Sequence, residues 1–178
     1  MKNKLIIILI LFLSAGIRVV YYNQIKDSPL LYQHYWEESD MNFFHLWAKD
    51  IAAGDWLSNK SLHPYHSWHA ALAFQAYKMR GGENYSQAIG KEILSNWYGG
   101  KRFHQEPLYP YFLAVIYKFF GDDIRLVFLL QFLLGVISNL LIFLITRRYF
   151  GTFVALVATA IAVFYGPFIY YESVLLRP

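Results

Sequence analysis

Charged residues divide the chain into three long apolar runs and one mixed stretch. Leu126 to Thr146 holds 21 residues without a charge, and Tyr149 to Tyr171 holds 23. A helix of about 20 predominantly apolar residues crosses a hydrocarbon core about 30 Å thick, so each run predicts a transmembrane helix. Only Arg147 and Arg148 separate them, which predicts a hairpin over 126–171 with its turn at 147–148. Near the N-terminus Leu5 to Ile17 is apolar, and Arg18 then precedes Val19, Val20, Tyr21 and Tyr22. Residues 1–22 read as a first transmembrane helix, with the Arg18 head reaching toward the interface where tyrosines also sit. Lys2, Lys4, a short apolar core and Ser14-Ala15-Gly16 also describe a cleavable signal peptide. The two later spans favour a retained helix.

Residues 23–125 form the mixed stretch, too long to be an idle connection. Ser39 and Asp40 offer a helix cap, and 41–53 reads as a helix ending at Gly54. Its apolar positions Phe44, Trp47, Ala48 and Ile51 recur with helical spacing. That pattern predicts an interfacial amphipathic helix lying apolar face down on the membrane, with Trp56 at the same depth. Trp68 to Met79 and Tyr85 to Trp97 predict two further helices broken by Gly81-Gly82. Residues 107–120 are apolar and aromatic, but Pro107 to Tyr117 gives only 11 charge-free residues, too few to span. A second interfacial helix, closed by Gly121, is the expectation there. The predicted fold class is an all-α polytopic membrane protein. It has three transmembrane helices and a large outer loop carrying interfacial helices, and 172–178 begins a further outer segment.

Composition agrees. Of 178 residues 57% are hydrophobic and only 16% charged, against about 45–50% and 25% in ordinary globular domains. Disorder is excluded by that apolar content. The absence of Cys removes disulfides, thiolate metal sites and thiol nucleophiles. The net charge of +4 is no nucleic-acid signal, because no basic face is concentrated anywhere. It arises outside 23–125, which is nearly neutral with 10 Lys plus Arg and 11 Asp plus Glu. Lys2, Lys4, Arg147 and Arg148 therefore orient the chain by the positive-inside rule, with the N-terminus and the hairpin turn cytoplasmic. Residues 23–125 then lie on the outer side.

Asp40 is the first candidate for chemistry. A carboxylate opening an interfacial helix sits where a lipid-linked substrate presents its head group, and it could act as a general base. Equally, it could serve only as the helix cap. Lys101, Arg102 and His104 could hold a phosphate by charge-assisted hydrogen bonds, with Glu106 orienting one of them. Contact of these basic groups with anionic lipid heads is the plainer alternative. His63, His66 and His69 raise a metal hypothesis, but their i, i+3, i+6 spacing sweeps the rings around a helix. Gln131, Ser138 and Asn139 are expected to make helix–helix contacts.

The order of these parts resembles the N-terminal portion of the GT-C glycosyltransferases. Within them it resembles the dolichyl-phosphate-mannose–protein mannosyltransferase-like group, which includes bacterial aminoarabinose transferases. The resemblance is carried by Asp40-Met41-Asn42-Phe43-Phe44-His45-Leu46-Trp47-Ala48, by Ala53-Gly54-Asp55-Trp56, and by Glu106-Pro107-Leu108-Tyr109-Pro110-Tyr111-Phe112-Leu113-Ala114. Phe119-Phe120-Gly121 and the turn sequence Arg147-Arg148-Tyr149-Phe150-Gly151 complete it. Residues 57–100 match the pattern only loosely. It implies that Asp40 is the catalytic acidic residue, and that Lys101, Arg102, His104, Glu106 and Tyr109 bind substrate. Two departures stand out. Met41 follows Asp40 where many members have Asp-Glu, and Glu106-Pro107 stands where many have Lys-Pro or His-Pro-Pro.

The resemblance further implies an inverting glycosyltransferase on the outer face of a bacterial inner membrane. Its expected partners are a polyprenyl-phosphate sugar donor, membrane lipids, and an acceptor glycan, lipid or protein. No cofactor is expected; a divalent metal is compatible with the chemistry but nothing in the sequence supports one. Because members of the group carry many more spans, the chain reads as the N-terminal part of a longer protein, inactive when isolated. The competing reading is a non-catalytic membrane anchor whose aromatic outer segment binds a partner. A transporter fits less well, since its spans would carry broken helices or polar residues at the midplane.

Overall fold

The computed structural model describes residues 2–59, 67–97 and 106–175. Among the described residues the chain is helical, with no strand: α1 (Lys2–Ile25), a 3-10 segment (Pro29–Tyr35), α2 (Asp40–Ala52), α3 (Ser67–Met79), α4 (Gln87–Trp97), α5 (Leu108–Phe120), α6 (Ile124–Phe164) and α7 (Gly166–Tyr171). Two compact units result, one of Met1–Gln33 with Asp123–Pro178 and the other of His34–Asp122.

In the first unit, two helices are long and apolar enough to cross a bilayer, Leu5–Ile25 and Ile124–Phe164. The second is not straight. Gly151 has φ 83° and ψ 173°, a left-handed conformation that side chains with a Cβ avoid. Phe143 before it and Ala155 after it share one buried cluster with Ile10 of α1. On a straight helix those two positions would lie about 18 Å apart, beyond the reach of a single isoleucine. The chain therefore reverses at Gly151, slightly past the expected turn at 147–148. The returning helix stops at Phe164, because the Pro167 ring would collide with the carbonyl one turn earlier. Pro167 instead starts the six-residue α7.

Much of the exterior of this unit is apolar, and several polar groups lie within. Leu9, Phe12, Leu129, Leu133, Phe153 and Ile161 are exposed, whereas Ser14, Arg18, Asn139 and Thr159 are buried. Helices surrounded by lipid follow that arrangement, since only the bundle interior can satisfy polar groups. Arg18 does not reach toward the interface as expected. It is 2% exposed and bonded to Glu172. Asn139 donates to Ser14 Oγ at 2.8 Å, and Gln131 donates to the Val174 carbonyl at 3.2 Å, so both join separate parts of the chain. Ser138 is exposed and makes no such contact among the described residues.

The second unit contains two helix pairs. In one, α3 and α4 fold together across Gly81 and Gly82; Gly81 has φ 78°, and Gly82 lies so close to the Tyr77 ring that a Cβ there would collide with it. In the other, α2 packs on α5. Met41, Phe44, Trp47, Ala48 and Ile51 of α2 are almost completely buried, as are Leu113 and Ala114 of α5. This corrects the expected use of the α2 stripe. Its apolar face is covered by protein instead of lying on a membrane, while Leu46, Leu108, Val115, Phe119 and Phe120 remain exposed.

Candidate active site

The site is built on the two ends of α2 and on α5. Ser39 caps α2: its Oγ accepts from the Asn42 N–H at 3.1 Å, satisfying one of the free donors of the first turn. Asp40 occupies the first helical position with an exposed side chain. Of the two candidates for the cap, Ser39 takes the role and leaves the Asp40 carboxylate in solvent, next to the positive end of the helix. Asn42 donates through Nδ2 to the His34 carbonyl at 2.7 Å, a buried bond that ties the preceding 3-10 segment to this end of the helix.

Phe44 lies one turn beyond Asp40 on the same face. Its ring meets the edge of Tyr109 at 5.7 Å, and Tyr109 stacks on Phe112 at 6.3 Å. Tyr109 thus belongs to the wall that the α2 start is held against. Glu106 lies just before Pro107, the cap residue of α5, and is exposed. Lys101, Arg102 and His104 lie outside the described residues, as do His63 and His66. His69 is buried in α3. Among the described residues no group of three His, Asp or Glu could hold a metal ion.

At the other end of α2, Gly54 has φ 116°, which lets the chain leave the helix and present Trp56 to α5. The Trp56 and Tyr111 rings lie 6.0 Å apart, the Tyr111 hydroxyl donates to the Trp56 carbonyl, and Lys118 Nζ sits 5.1 Å from the Trp56 ring centre. The indole N–H of Trp47 donates to Ser58 Oγ at 2.7 Å. Two motifs separated by about fifty residues of sequence are therefore parts of one framework.

A polar pair lies inside it. His45 Nδ1 and Tyr117 Oη are 2.9 Å apart and buried. Burial, and then the nearby His34 and Lys49, lower the imidazole pKa from 6.5 to about 4. Burial, and secondarily Asp122, pushes the Tyr117 hydroxyl up. Both groups are neutral at neutral pH, so with the Nε2–H tautomer Tyr117 donates to Nδ1. At the surface Lys49 Nζ bonds Asp122 at 2.7 Å, and this bond holds the Asp122 carboxyl below its usual range. No role for His45, Tyr117, Lys49 or Asp122 is evident from the sequence. His45 neighbours the apolar stripe of α2, and that was the available signal.

The α2–α5 pair thus presents an exposed carboxylate at the start of α2. Over residues 104–177 the chain matches the family described as dolichyl-phosphate-mannose-protein mannosyltransferase. That is the GT-C type of membrane glycosyltransferase, and the match spans α5, α6 and α7. It does not extend to α2 and Asp40. No curated protein and no solved structure is significantly similar to the chain.

Proposed function

We propose that the chain is the N-terminal part of an inverting glycosyltransferase that uses a polyprenyl-phosphate-linked sugar, with Asp40 as general base. The observation that carries this is the division of labour at the start of α2: Ser39 caps the helix and the Asp40 carboxylate is left exposed. The family match over 104–177 supports the reaction class. In the proposed step the Asp40 carboxylate takes the proton of an acceptor hydroxyl. The acceptor oxygen attacks the anomeric carbon on the face opposite the phosphate. The bond from that carbon to the phosphate oxygen breaks, and polyprenyl phosphate leaves with the bonding pair. Lys101, Arg102 and His104 would hold the phosphate and Glu106 would orient one of them, with Tyr109 as a further substrate contact. Three spans, a cytoplasmic N-terminus and an outer 23–125 segment in a bacterial inner membrane complete the reading.

The test is sugar transfer by the full-length protein in proteoliposomes supplied with labelled polyprenyl-phosphate sugars. Asp40→Asn keeps the size of the side chain and removes its basicity. Transfer should fall by about 10²–10⁴-fold, the usual worth of a positioned general base. Full activity in that variant would remove Asp40 from the base role.

A further inference from the structure

The first unit holds a charge pair that the proposed chemistry does not use. Arg18 Nε donates to Glu172 Oε2 at 2.6 Å and Nη2 to Oε1 at 2.5 Å, a two-pronged pairing between residues 154 apart in sequence. The third guanidinium nitrogen is also occupied, since Nη1 donates to Ser14 Oγ at 2.8 Å and to the Ser14 carbonyl at 3.1 Å. Asn139 Nδ2 donates to the same Ser14 Oγ at 2.8 Å. Three parts of the chain are tied together: α1, the first arm of α6, and the residue following α7. Gly135 makes room for the pair, because a Cβ at that position would run into the Glu172 carboxylate and the Arg18 guanidinium.

We propose that Arg18, Glu172 and Gly135 form an interhelical lock that holds α1 against the α6 hairpin. The inference rests on reading α1 and α6 as membrane helices and is independent of Asp40. In lipid, the exposed apolar residues of α1 gain little by leaving hydrocarbon for a neighbouring helix, so packing and polar bonds must select the partner. A lone guanidinium or carboxylate there is unfavourable, and pairing removes that disadvantage only when both helices are in register. The saturated bonding of Arg18 fits a fixed pair better than a proton or ion relay, which needs an open position. Glu172 emerges long after Arg18 during synthesis, so the lock closes only once the residue following α7 has been made.

The chain has no Cys, so an introduced pair gives a clean readout. Ile10→Cys and Ala155→Cys place thiols in one buried cluster of α1 and α6. Oxidative crosslinking of the full-length protein in membranes then reports whether α1 is seated. Arg18→Met and Glu172→Met, each alone, leave one charge unpaired and should lower the crosslinked fraction about tenfold or more. The double variant removes both charges at similar volume and should return to within about twofold of the parent. Gly135→Ala, although it favours a helix intrinsically, should lower crosslinking by prising the pair apart. Single variants that crosslink like the parent would overturn the proposal. So would a double variant no better than the worse single, or a Gly135→Ala protein without effect. A single variant lost from the membrane and recovered in the double supports the lock in the same way. Transfer activity does not enter this readout, so an active Asp40→Asn protein would leave the lock standing.

Discussion

Acidification should loosen the α2–α5 framework through one side chain. His45 is buried, bonded to Tyr117, and titrates near 4 in the folded chain against 6.5 when unfolded. Above pH 6.5 it is neutral in both states and contributes no pH dependence. Below 6.5 the unfolded chain takes up a proton that the folded one refuses, so stability falls until the pH passes about 4, where the folded state is protonated too. At about 1.4 kcal/mol per pH unit, the interval between 6.5 and 4 is worth about 3–4 kcal/mol at most. That is a large share of the marginal stability of a small unit. The groups facing the imidazole are His34, Lys49 and Asp122. Asp122 is held below the usual carboxylate range, so its own contribution is lost only at lower pH. Hydrogen exchange of the α2 and α5 amides at pH 7.5, 5.5 and 4.5 measures the effect. His45→Gln keeps a hydrogen-bonding partner for Tyr117 but cannot titrate, so it isolates the His45 contribution. The reasoning fails if wild-type protection is level across this range, or if His45→Gln shows the same slope.

Further outcomes follow from the same geometry. Ser39→Ala removes the α2 cap and should cost about 1 kcal/mol, read as faster exchange in the first turn of α2, whereas Asp40→Asn should cost less there while lowering transfer by about 10²–10⁴-fold. Gly151→Ala forces a Cβ into a left-handed conformation and should destabilise the hairpin by about 1 kcal/mol or more; thermal unfolding in detergent would register the drop. Lys49→Ala breaks the exposed bond to Asp122 and should change stability by less than about 1 kcal/mol, with whatever effect it has diminishing in high salt.

Periodicity and charge were enough for α1 to α6, but not for the 3-10 segment or for the break before α7. The long charge-free runs over 126–146 and 149–171 specify apolar helices because composition alone decides whether a segment of that length suits hydrocarbon. The breaks at Gly54 and Gly81 were legible for a similar local reason, since both adopt backbone conformations that other residues avoid, whereas the turn expected at 147–148 falls at Gly151. The Asp40 candidate was visible too, as a carboxylate at a helix start. What sequence could not settle was whether Asp40 or Ser39 caps that helix. Both residue types serve, and the choice depends on backbone geometry at a single position.

Tertiary structure alone decided what the α2 stripe faces. A run such as Phe44, Trp47, Ala48 and Ile51 is equally suited to a membrane surface and to a protein neighbour, because burial of apolar area has no direction. Only folding shows α5 covering it and joining Phe44 to Tyr109, Trp56 to Tyr111, and His45 to Tyr117. Arg18 makes the same point for charge. Its place in the sequence fits a side chain stretching to the interface, but a charge is stabilised wherever a partner lies. That partner, Glu172, is 154 residues away and reaches it only because the chain turns back at Gly151 and leaves space at Gly135.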